Sequence, residues 1–281
     1  MYNIKYHIAS LVAVFLALAL GLVLGGLVVR QGGFDKQQSA IVSGLQKDFN
    51  SIKKQNRTLK SDLTLEKSYS EQMTDAWIAG RLSGRSVLVI TSTAKGVGGD
   101  AAIAAVKGAG GNAAVVTMSK PQFGLADKNV AAAIRSVVGS STDLATTVAS
   151  TLASEWSQPD VPRPLTDALQ ETGVITITGL SASMAATQLV DVAAFDKKPD
   201  PLALDIAQAY AAAGRFALGA QAPSPNTGVA AAAAARKLSA FDTLGTNPGR
   251  FTLVALLTGG EQGTYSVDSN ATAQYPPIPV P

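Results

Sequence analysis

Cysteine is missing from this chain altogether, and histidine occurs once, at His7. Without thiols there can be no disulfide, no zinc–thiolate centre and no cysteine nucleophile. A cysteine-free chain suits either side of a membrane, so the redox compartment stays open. Aromatic residues make up only 6% and charged residues 15% of the 281 positions. The net charge of +3 is unevenly placed. Residues 35–85 carry nine Lys/Arg against six Asp/Glu, and residues 86–281 carry twelve against fourteen. The larger part is therefore slightly acidic, which argues against a nucleic-acid surface. Proline is absent between Asp35 and Trp77, where Gly44 is the lone glycine, so nothing there breaks a helix.

One long uncharged run stands out against this background. From Ile8 to Val29, 22 residues pass without a charge. At about 1.5 Å per residue a helix of that length spans roughly 33 Å, enough for a bilayer core of about 30 Å. A cleaved signal peptide would want a shorter apolar stretch, more basic residues before it than Lys5, and an A-x-A site after it. The run reads as a retained anchor. Within it a small residue recurs every fourth position, at Ala9, Ala13, Ala17, Gly21 and Gly25. Such a face lets a second helix backbone approach closely, and Ala17, Gly21 and Gly25 are the expected packing residues. Orientation is ambiguous. Lys5 flanks one end, and Arg30, Lys36 and Lys47 flank the other, which by count alone places the large domain in the cytoplasm; long domains, however, translocate largely regardless of charge.

Residues 35–80 carry a heptad pattern. With Leu45 as a d position the series runs Leu45, Phe49, Ile52, Asn56, Leu59, Leu63, Glu66, Ser70, Met73, Trp77, and seven of those ten are apolar. This predicts a coiled coil whose seam is Leu45, Phe49, Ile52, Asn56, Leu59 and Leu63, with Asn56 as the buried amide that fixes register. Lys53, Lys54 and Arg57 lie off that seam and form the expected partner-facing surface. Parallel and antiparallel pairing, with a copy of itself or with another protein, remain alternatives.

Beyond Gly84 the pattern changes to apolar runs alternating with helical segments. Strands are expected at Ser86–Ser92, Ala113–Met118, Val174–Thr178, about Leu189–Ala193, Arg215–Ala220 and Phe251–Leu257. Helices are expected at Asp100–Gly108 and about 127–138, 142–156, 163–171, 201–213 and 227–238. That alternation indicates an α/β, Rossmann-like domain with a largely parallel sheet over 84–270. The mostly helical stretch 120–172 reads as an addition on one side of the sheet. The proline-rich tail within 271–281 is expected to be disordered. The expected domains are thus 1–30 (tail and anchor), 35–80 (coiled coil), 84–270 (α/β) and 271–281 (tail).

Motifs for chemistry are few. Gly96-Val97-Gly98-Gly99-Asp100-Ala101 fits G-x-G-x-x-A between a strand and a helix, the arrangement that brings amides to a pyrophosphate. Asp100 would repel phosphate there and could cap the helix itself, and no Asp or Glu follows before Asp127 to hold a ribose. Gly179-Leu180-Ser181-Ala182-Ser183 falls one residue short of a nucleophile elbow. Its serine would lack a base, since His7 precedes the membrane segment. Asp191, Asp196, Asp200 and Asp205 fall near strand and helix ends, where acids commonly serve turns and caps. The residues thus offer no catalytic, cofactor or metal set.

The stretch His7-Ile-Ala-Ser10-Leu11-Val-Ala13-Val14-Phe15-Leu16-Ala17-Leu18-Ala19-Leu-Gly21-Leu-Val23-Leu24-Gly25, followed by a coiled coil and then a strand, resembles the actinobacterial copper-transport protein B family. Corynebacterial relatives in that family include a cell-separation protein. Pro248-Gly249-Arg250 and Gly263-Thr264-Tyr265 agree with the resemblance. It implies either copper transport across the envelope or a scaffold in cell separation, whose extracytoplasmic coiled coil activates a septal peptidoglycan hydrolase. Copper(I) prefers thiolate, thioether and imidazole ligands, yet here the candidates are His7 and the scattered Met1, Met73, Met118 and Met184. An outer-membrane barrel would want alternating strands of about ten residues with aromatic girdles, which an aromatic-poor, helix-rich chain does not supply. The reading is a single-pass, non-enzymatic envelope protein that forms a homodimer or hetero-oligomer and meets a septal or envelope partner. Its head is extracytoplasmic by resemblance. Replacing Asn56 with leucine should raise the thermal stability of the coiled coil while broadening its oligomeric distribution. Circular-dichroism melting and sedimentation velocity check this; one unchanged state of unchanged stability would refute the seam.

Overall fold

In the computed structural model, residues 4–30, 33–93, 98–195, 198–223, 228–266 and 271–277 are described. The chain forms two compact units, Met1–Ser68 and Tyr69–Pro281.

The first unit is helical. Helix α1 spans Ile4–Arg30, and its segment Lys5–Leu27 is long and apolar enough to cross a membrane. Helix α2 starts at Gly33 and ends at Ile78, so its last turns belong to the second unit.

The second unit is built on a seven-stranded sheet. Strand β1 (Ser86–Ser92) pairs in parallel with β2 (Asn112–Met118) on one side and β4 (Gln188–Asp191) on the other. Beyond β4 follow β7 (Phe216–Ala220), β8 (Ser239–Phe241) and β9 (Thr264–Tyr265), all parallel. Strand β3 (Ile175–Thr178) closes the other edge antiparallel to β2. The order is β3-β2-β1-β4-β7-β8-β9, so chain direction across the sheet reverses between β1 and β4. Strands β5 (Ala194–Phe195) and β6 (Lys198–Pro199) form a separate small hairpin.

Both sheet faces are covered. Leu88, Ile90, Ala114 and Val116 point into a core with α4 (Lys128–Val138), α5 (Leu144–Ser157), α6 (Pro164–Glu171), α7 (Pro201–Ala212) and α8 (Val229–Ala235). Val87 and Val89 point the opposite way, toward α3 (Gly99–Gly108), α9 (Asn247–Leu257), and Ile78 and Leu82. Polar side chains start the helices where their first amides lack partners. Asp127, Asp143 and Asp200 accept from Asn129 N, Thr146 N and Ala203 N. For α6 the cap comes from a distance: Glu155 accepts from Leu165 N and Thr166 N, both at 2.9 Å.

Three expectations are corrected. Phe251–Leu257 is helix, not strand: Thr246 accepts from Gly249 N, and Pro248 sits in the first turn. A short run apolar on every side suits a buried helix as well as a strand, and the Thr246-Asn247-Pro248 start decides the matter. Trp77, the last residue of the heptad series, instead packs on Phe251 with ring centroids 4.4 Å apart, and Arg81 stacks over it. Asp75 forms an ion pair with Arg250 beside them. The tail's first residues are hydrogen-bonded to β9: Thr272 N donates to Thr264 O and Ser266 N to Ala273 O. Residues 278–281 lie outside the described residues.

Because Thr246 caps a helix, Thr246→Ala should cost about 1 kcal/mol, and Leu253→Ala, which empties a fully buried site, about 2–5 kcal/mol. Denaturant titration of the detergent-solubilised chain, followed by tryptophan fluorescence, measures both. If Thr246→Ala were neutral, the capped-helix assignment would fail.

Candidate functional site

A cleft opens at the carboxyl end of β1, beside the point where the sheet reverses direction. In open parallel sheets this is where ligands bind. It encloses about 570 Å³ and is bordered by the ends of β1 and β2, the first turn of α3, and residues after β7 and β8. Its polar side chains are Thr91, Ser92, Thr93, Asp100 and Thr117, and its apolar ones include Ile103, Val115 and Leu244. Ser92 is engaged, donating to Ala194 O at 2.6 Å.

Two glycines shape this cleft. Gly98 takes a left-handed conformation, φ 97°, which glycine adopts without strain. Gly99 opens α3 so close to β1 that a Cβ there would lie 2.2 Å from Thr91 Oγ1. Gly98 provides no side-chain cap for α3, and Asp100 stands in the first turn rather than capping it. The motif read from the sequence therefore folds as strand, glycines and helix. Gly96 and Val97 lie outside the described residues.

Among the acids expected to serve turns and caps, Asp200 does so. Asp200 caps α7 while its other oxygen accepts from Gln122 N at 2.6 Å, and burial pushes its pKa up despite those amides. Asp205 pairs with Arg236 at 3.1 Å. Asp196 lies outside the described residues. Asp191 differs: it is fully buried, Oδ1 accepts from Ala193 N at 2.9 Å, and Oδ2 has no partner among the described residues. Burial pushes its pKa up to about 8. In Gly179–Ser183 the two serine hydroxyls lie 3.4 Å apart and exposed, and neither is hydrogen-bonded to a base among the described residues. No group of three or more His, Asp or Glu suited to a metal occurs among the described residues.

On the long helices, the seam, partner-facing and anchor-packing residues expected from the sequence are exposed. Leu45, Phe49, Ile52, Leu59 and Leu63 on α2 stand 56–69% exposed, and Asn56 is exposed between them. Val42 is 60% exposed and extends the stripe by one a position, which the sequence reading missed by beginning at Leu45. Lys53, Lys54 and Arg57 are exposed off the stripe. On α1, Ala17, Gly21 and Gly25 are exposed, and a Cβ at either glycine would meet nothing within 4 Å. The stripe is a single helix face, and a paired coiled coil is not displayed.

A neutral Asp191 is favoured by the fold, so its stabilising contribution is complete below about pH 4 and lost as pH rises through about 8. Asp191→Asn should therefore stabilise the protein increasingly over that window, by on the order of a few kcal/mol at its alkaline end. Urea midpoints at about pH 4 and pH 8 test this; an equal effect at both would contradict the assignment.

No curated protein matches the chain, and no solved structure does. A family model described as "Copper transport outer membrane protein, MctB" matches residues 1–276. With helix α1, helix α2 and the α/β unit all inside that match, the chain belongs to the MctB family of copper transport outer membrane proteins.

Proposed function

We propose that this is a non-enzymatic, membrane-anchored envelope protein that serves copper transport as an assembling scaffold. The observation that carries the reading is the stripe of exposed apolar side chains on α2, from Val42 to Leu63. Apolar surface repeated at heptad spacing is stabilised by pairing with another helix. Copies held by α1 in one membrane present α2 in the same direction, which favours parallel self-association. Lys53, Lys54 and Arg57 would then face a partner from outside the seam, and Ala17, Gly21 and Gly25 would let the anchors approach.

The family description supports the link to copper. The residues support an indirect part in it, because a chain with no cysteine and one histidine offers copper(I) few of its preferred donors. Metal would be carried by proteins that the scaffold gathers. The same stripe favours a second reading, in which the helix activates a septal peptidoglycan hydrolase during cell separation. In both, the head lies outside the cytoplasm.

A deletion strain complemented with either wild type or a Leu45, Ile52 and Leu59 triple serine variant tests this. Cell-associated copper should rise on deletion, return with wild type, and stay raised with the variant at equal membrane abundance. Full rescue by the variant would contradict the scaffold. Unchanged copper with chained, unseparated cells would move the function to cell separation.

A further inference from the structure

We infer that the apolar stripe of α2 pairs, in parallel and in register, with α2 of a second copy of this chain, and that charges flanking the stripe select that partner. The inference rests on the scaffold reading above and names the helix that the stripe meets. With Val42, Phe49, Asn56 and Leu63 at a positions and Leu45, Ile52 and Leu59 at d positions, the flanking residues sort by sign. Asp48, Gln55 and Asp62 fall at g, and Lys53, Lys60 and Lys67 fall at e. Asp48, Lys53, Lys60 and Asp62 are exposed, and none of them joins an ion pair among the described residues. Their own helix offers them no opposite charge. Helix side chains meet at spacings of three and four residues. At those spacings Asp48 and Asp62 find no Lys or Arg, and Lys53 and Lys60 find no Asp or Glu. Lys53 instead meets Arg57, and Asp62 meets Glu66, each of its own sign.

A second copy supplies what is missing. In a parallel, in-register pair each g position faces the e position of the next heptad on the other helix. That sets Asp48 against Lys53 of the second copy and Asp62 against its Lys67, with the Gln55 carbonyl against its Lys60, and the two-fold axis repeats the set. An antiparallel pair sets e against e and g against g, so lysine would meet lysine and aspartate would meet aspartate. A slip of one heptad would bury the Asn56 amide against Leu63, where it has no partner; in register, Asn56 meets Asn56. An unrelated helix would have to carry acids along one flank and bases along the other to match. Lys54 and Arg57 fall at f and b, on the outer face of such a pair, and stay available to a further partner.

Charge reversal in the full chain tests the inference. Two differently tagged copies, each carrying Leu45→Cys, are co-expressed and oxidised in native membranes, and the mixed-tag disulfide dimer is quantified. A basic variant adds Asp48→Lys and Asp62→Lys; an acidic variant adds Lys53→Glu and Lys67→Glu. Exposed ion pairs are individually weak, but each variant turns the whole set from attraction to repulsion. Either variant paired with itself should therefore cross-link about tenfold less than chains with unaltered charges at equal abundance. The basic variant paired with the acidic one should recover most of the loss, which also shows that both are inserted and helical. Salt at about 1 M should shrink these differences. Variants that cross-link with themselves as well as the unaltered charges do would overturn the inference. So would a mixed pair that fails to recover, or no cross-linking with unaltered charges. The scaffold reading falls separately, on full copper rescue by the Leu45, Ile52 and Leu59 triple serine variant. A stripe that meets a different helix would keep that phenotype while losing these cross-links.

Discussion

The α/β unit depends on one strand that is buried on both faces. Val87, Leu88, Val89 and Ile90 of β1 are all inaccessible to solvent, so helices must pack against the sheet from both sides. That requirement sets β1 near the middle of the sheet, flanked by β2 and β4. The reversal of chain direction beside it leaves a cleft where β1 ends. Gly99 is the local counterpart of the same constraint, because only glycine lets α3 start this close to Thr91.

Most of this architecture was legible because the chemistry is local. Continuous β-branched and apolar runs at Val87–Ile90 and Ala113–Met118 announce strands buried on both sides, and acids such as Asp127, Asp143 and Asp200 mark helix starts. Where the chemistry is not local, the reading failed. Phe251–Leu257 is apolar throughout, and only its tertiary surroundings and the Thr246 cap make it a helix. Strands β8 and β9, three and two residues long, are too short for a periodic signal. The antiparallel direction of β3 comes from pairing with β2, which no single segment encodes. Trp77 obeyed the heptad spacing yet found Phe251, since a contact from across the unit outweighed the repeat. In the cleft, the glycines were visible as a motif, whereas the close approach of Gly99 to Thr91 was not, because β1 and α3 meet only in the folded unit.

Apolar burial is divided sharply along the chain. The second unit encloses nearly all its large apolar side chains, including Trp156, Tyr210, Phe123 and Phe241. The long helices do the reverse. The apolar side chains of α1 are exposed along the segment that suits a bilayer, and those of α2 form a stripe at heptad spacing. The first exposure is of the length and composition that a bilayer would cover. The second is the physical basis of the pairing proposed for α2 in this member of a copper-transport family.

The absence of cysteine makes that central claim directly measurable, because one introduced cysteine is unique in the chain. Single substitutions from residue 42 to residue 63 would be oxidised in native membranes and the cross-linked dimers quantified. The account predicts efficient same-residue disulfides at positions 42, 45, 49, 52, 56, 59 and 63, and poor ones at 53, 54 and 57. Cross-linking that is uniform along α2, or that peaks at the lysine and arginine positions, would contradict a parallel pair packed through this stripe.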